Sequence, residues 1–98
     1  MAMTHSKQID QFCEAILSLR SKEECYQYFE DVFTIKELLT IAQRQEVARM
    51  LADGHSYQET IAETGASSAT ISRVKRCLDY GAGGYALVLD RMEEENKV

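Results

Sequence analysis

Not one of the 98 residues is proline, and apolar positions recur at steps of three and four from one end of the chain to the other. A chain without helix-breaking rings, and without the alternation that would line one face of a strand, is predicted to be all helix. Its length bounds the answer further: 98 residues suit one domain with one core, particularly if a partner subunit adds apolar surface.

The helix boundaries are marked by local chemistry. From about Ser6 to Arg20, Ile9, Phe12, Cys13, Ile16 and Leu19 form one apolar stripe, with Lys7, Asp10, Glu14 and Arg20 elsewhere. Ser21 with Glu24 has the spacing of a capping box, in which each side chain satisfies an unpaired amide at a helix start. The helix that follows, to about Phe33, carries Cys25, Tyr26, Tyr28, Phe29, Val32 and Phe33. That surface is wider than one neighbouring helix covers, so a partner chain is expected over the remainder. Thr34 with Glu37 repeats the pattern and opens a long third helix ending at Gly54. Ser56 with Glu59 opens a short helix, "SYQETIAET", that stops at Gly65. Ser67 or Ser68 then caps a fifth helix through about Asp79. "GAGG" at 81 to 84 ends it, and Tyr85, Val88, Leu89 and Met92 give a sixth. Six helices are expected, the first and third being the long ones.

The chain's formal net charge is -5, which argues against coating nucleic acid or an anionic membrane with the whole surface. Cys13, Cys25 and Cys77 have no metal-ligand spacing and are odd in number, which fits reduced thiols. The N-terminal "MAMTHSKQID" lacks a signal-peptide core, and no apolar run is long enough to span a bilayer. A cytoplasmic protein without a membrane partner is expected. "GAGGYA" imitates a dinucleotide-binding fingerprint, but that site needs a preceding strand and here a helix precedes it. His5 and His55 have no companion ligands, so no metal site is expected. Tyr26, Tyr28 and Phe29 have core spacing and no interleaved cations, unlike a platform for stacked bases. No nucleophile, base and orienting acid can be assembled, and neither an enzyme nor a cofactor is expected.

What remains is residues 65 to 78, "GASSATISRVKRCL". Of the 11 basic residues, Arg73, Lys75 and Arg76 lie here, together with none of the 16 acidic ones. The short fourth helix, the Gly65 turn and the fifth helix read as a helix-turn-helix at about 56–79, the unit that presents its second helix to the DNA major groove. At 100° per residue, Ile71, Val74 and Leu78 share a narrow inward arc. Ala69, Ser72, Arg73 and Arg76 take the opposite one. Small residues let such a helix approach base edges, Ser72 can donate or accept, and arginines can pair with phosphate or guanine. Lys75 adds charge, and Ser67 and Ser68 sit where free amides and the helix dipole favour a phosphate.

The stretch "FTIKELLTIAQRQEVARMLADGHSYQETIAETGASSATISRVKRCL" resembles the Trp-repressor family, most closely its YerC/YecD-type branch, and "GxxxATIxR" within it is similar to that family's recognition-helix signature. The resemblance implies a six-helix Trp-repressor-like fold working as an intertwined homodimer, with a dimerisation core at about 6–54 and 84–96. It also implies an operator that is pseudo-palindromic, with half-sites about one helical turn apart. Carried over residue by residue, it places Arg44 against one side of an indole ligand, Arg73 at its carboxylate, and Thr34 with Thr70 around the pocket. Two positions depart. Val74 stands where the tryptophan-responsive pattern has glycine, and Cys77 where it has serine. Valine adds three carbons at a point of close backbone approach, and a thiol is a weaker hydrogen-bond partner than a hydroxyl. Both argue against tryptophan as effector, and Val74 is expected to fill the pocket and hold the reading head ready to bind.

Two functions therefore stand at this level. One is a sequence-specific transcriptional regulator, a repressor, bound to double-stranded DNA as a homodimer. The other is a helical dimerisation or adaptor module whose helix-turn-helix binds an acidic protein surface. Salt separates them: six cations per dimer, all on phosphates, predict a log-log salt slope of about -5 on duplex DNA.

Overall fold

The computed structural model describes residues 3–96 and is helical, with no strand among the described residues. The helices are α1 (Lys7–Leu17), α2 (Lys22–Val32), α3 (Ile35–Ala52), α4 (Tyr57–Thr64), α5 (Ser68–Tyr80) and α6 (Gly84–Glu95). Number and order are those the sequence predicts. One length differs: α1 has 11 residues, fewer than the 13 of α5. Ser18 ends it, because its hydroxyl turns back to donate to the Ala15 carbonyl at 2.6 Å, a local bond that competes with helix continuation.

The predicted caps form with one variation. Thr34 Oγ1 accepts from the Glu37 amide at 3.1 Å while Glu37 Oε1 accepts from the Thr34 amide at 2.9 Å. Ser56 and Glu59 exchange the same two bonds at 3.1 and 3.0 Å. At α2 the Ser21 hydroxyl accepts from Glu24, but the Glu24 carboxylate reaches one residue further back, to the Arg20 amide at 2.8 Å. The C-terminus of α3 closes on Gly54, whose φ of 93° is left-handed. Its amide bonds to the Leu51 carbonyl, and that of His55 to Met50, both at 3.1 Å. This is the paired 5→2 and 6→1 bonding of a Schellman stop.

Amide donors pull the carboxyls of Glu37 and Glu59 below the ordinary carboxylate range, chiefly the backbone of Thr34 and of Ser56 respectively. A carboxyl with a lowered folded pKa contributes stability above its unfolded pKa and loses it as pH falls through the folded value. Thermal midpoints should therefore fall as pH is lowered through and below the ordinary carboxylate range. A Glu59→Gln chain should show a shallower acid loss; an equal loss contradicts the role given to that cap.

The chain divides into two compact units, Met1–Leu38 and Leu39–Val98. In the first, no described residue is buried. Aromatic side chains nevertheless cluster: the Phe12 and Tyr28 rings lie 6.4 Å apart and those of Phe29 and Phe33 5.5 Å apart, edge to face. Ile9, Phe12, Tyr26, Val32 and Ile35 remain exposed. The second unit holds a true core of Val47, Ala48, Ala66, Ile71 and Val74, with Leu51, Leu78, Tyr85 and Leu89 packed against it. Within it α5 lies between α4 and α6. The Gln43 side-chain amide donates to the Thr64 carbonyl at 3.2 Å, tying α3 to the end of α4.

Candidate nucleic-acid interface

The helix-turn-helix is built around four small residues. Gly65 takes a left-handed φ of 73°, which a side chain would strain. Ala66 follows it into the core. Thr64 pins the turn: its hydroxyl donates to the Thr60 carbonyl at 2.7 Å and accepts from the Ala66 amide at 3.1 Å. Of the two candidate caps it is Ser67 that serves, accepting from the Thr70 amide at 3.1 Å and touching the Thr70 hydroxyl at the same distance. Ser68 is the first residue of α5 and is exposed.

The inward arc of α5 is as the 100° spacing predicts. Ile71 and Val74 are buried, and Leu78 packs against the same core. With that side fixed, Ala69, Ser72, Arg73 and Arg76 are exposed on the other. Neither arginine has an ion pair or side-chain hydrogen bond among the described residues, whereas Lys75 is half-buried and its Nζ lies 3.3 Å from Asp79 Oδ1. The sequence reading missed two neighbours of this surface. Asp79 adds an acid one residue beyond the basic stretch. Tyr80, 86% exposed, adds an aromatic side chain to its C-terminal end. Asp79 lies inside the predicted helix but one residue outside the stretch 65 to 78, and Tyr80 extends the helix one residue past its predicted end.

The residues proposed to hold a small ligand have different surroundings. Thr34 lies in the first unit, committed to the α3 cap. Arg44 and Thr70 are half-buried, Arg73 is exposed, and Val74 faces the core. Cys77 is exposed and lines an open, largely apolar cleft of about 470 Å³ with Gln45, Gly81, Ala82, Tyr85 and Val88. Arg44, Thr70 and Arg73 do not line that cleft. No group of three or more His, Cys, Asp or Glu that could hold a metal occurs among the described residues, and no described helix is long and apolar enough to cross a membrane.

A capped short helix, a glycine turn and a second helix with a buried apolar side and an exposed basic one define a helix-turn-helix protein. The sequence narrows this further. Residues 7–93 match the model of the Trp repressor protein family. The chain is 56% identical over 88 residues to the uncharacterised protein YerC of Bacillus subtilis strain 168, covering 90% of this chain and 85% of that one. A Trp repressor-like protein from Staphylococcus aureus superposes with a TM-score of 0.88 at 45% identity, over 91% of this chain and 89% of its own. A TrpR-like protein from Eubacterium eligens gives a TM-score of 0.87 at 48% identity, over 90% and 91%. The chain belongs to the Trp repressor family, a regulatory DNA-binding family and not an enzymatic one.

Proposed function

We propose that this DNA-binding regulator is a sequence-specific transcriptional repressor, acting in the cytoplasm as a homodimer on a pseudo-palindromic operator and without tryptophan as corepressor. The observation that carries the reading is the outward face of α5. Arg73 and Arg76 stand there exposed and unpaired among the described residues, beside the small side chains of Ala69 and Ser72. The core contacts of Ile71 and Val74 fix which way they point. Ala69 and Ser72 leave room for base edges, and the arginines supply phosphate or guanine contacts.

The dimer is supported by what the first unit fails to bury. Ile9, Phe12, Tyr26, Val32 and Ile35 are 40 to 74% exposed, more apolar surface than a monomer ordinarily leaves in one stretch of chain. Interleaving residues 6–54 and 84–96 of two copies would cover it. The effector-free reading is supported by Val74, 1% exposed in the core, where a glycine would leave space. Saturable heats on titrating tryptophan contradict that part.

Salt dependence tests DNA binding itself. With Arg73 and Arg76 on phosphates, four cations per dimer give a log-log slope of about -4 on duplex DNA. A flat salt dependence with no preference among genomic fragments points instead to a helical adaptor for an acidic protein surface.

A further inference from the structure

Asp79 is the single acid of α5, and nothing in helix energetics explains its place there. It lies two residues before Gly81, the C-cap, where unpaired carbonyls disfavour negative charge. Its partner Lys75 precedes it by four residues, the weaker order for such a pair. Both side chains are nearly half exposed, and exposed pairs contribute little to stability. What the pair does change is the charge offered by α5. Lys75 is the third cation of the reading helix and the one held 3.3 Å from a carboxylate, while Arg73 and Arg76 are left unpaired among the described residues.

On the reading that α5 binds DNA, we infer that Asp79 is a specificity-determining residue that offsets the charge of Lys75 and so restrains sequence-independent binding. Sequence-independent affinity grows with each phosphate neutralised and counterion released. The contacts of Ala69, Ser72, Arg73 and Arg76 to base edges and their neighbouring phosphates are untouched by the pair. Cancelling one flank charge therefore lowers binding to arbitrary DNA more than binding to the operator, and the ratio of the two is what locates a site among many competitors.

The test is fluorescence anisotropy of the full chain on a duplex of arbitrary sequence across a salt series. Asp79→Asn should bind more tightly at low salt, with a log-log slope steeper than wild type by about 2 per dimer. Asp79→Glu, which keeps the charge, should match wild type. Lys75→Met combined with Asp79→Asn should return the slope to the wild-type value. Thermal melts should place Asp79→Asn at or above wild type. An Asp79→Asn slope equal to wild type, with wild type binding normally, overturns the inference and leaves the DNA reading intact. Failure of the wild-type chain to bind any duplex overturns both.

Discussion

Replacing Ile71 by alanine should destabilise the protein by about 2–4 kcal/mol. Ile71 is fully buried and lies in the core with Val47, Ala48, Ala66 and Val74. Those neighbours come from α3, the Gly65 turn and α5, each held by its own caps or bonds, so the cavity left by the lost carbons cannot collapse easily. Urea unfolding should report the loss as a midpoint lower by roughly 1–2 M, with little change in slope. The same substitution at Ser72, on the opposite side of α5 and exposed, should stay within about 0.5 kcal/mol of wild type. If Ser72→Ala proved as damaging as Ile71→Ala, the orientation of α5 would be wrong.

Arg76→Ala should do the reverse, weakening DNA binding while leaving folding nearly unchanged. Arg76 is exposed in the middle of the outward arc and makes no ion pair among the described residues, so its removal leaves no buried partner unsatisfied. In the proposed homodimer the residue is lost twice, and each contact contributes about 1–3 kcal/mol if it reaches a guanine. If it reaches only phosphate, the loss should instead be uniform across sequences and flatten the salt slope by about 2 per dimer. The two patterns tell whether Arg76 reads or merely anchors. Unchanged affinity on every duplex would remove α5 from the interface as drawn.

Much of this was legible in the sequence because short-range chemistry sets the boundaries. Ser56 with Glu59, Thr34 with Glu37, and the glycines at 54 and 65 need only their immediate neighbours to act, and all four act as read. The inward arc of α5 was equally legible, since Ile71, Val74 and Leu78 share a face by helical geometry alone. Competition between near-equal local partners was harder. Ser67 and Ser68 both have a capping hydroxyl, and only the turn geometry selects Ser67. Ser18 shortened α1 through its own hydroxyl, against an apolar stripe that ran on to Leu19. Glu24 satisfied Arg20 instead of Ser21. Asp79 falls one residue beyond the basic stretch 65 to 78, so the charge of that stretch alone does not show that Lys75 has a partner. Tertiary features were least legible. That the first 38 residues bury none of their described side chains, while Leu39–Val98 has a core, follows from how the helices pack and not from any spacing along one of them.

In the proposed function, two copies of α5 read DNA as a symmetric pair. Selection of genomic fragments bound by the purified protein, followed by sequencing, tests it most directly. A symmetric pair of reading helices should enrich a pseudo-palindrome whose half-sites are centred about 10 base pairs apart, one helical turn. Fragments recovered at random, or enriched for a motif without two-fold symmetry, would contradict it.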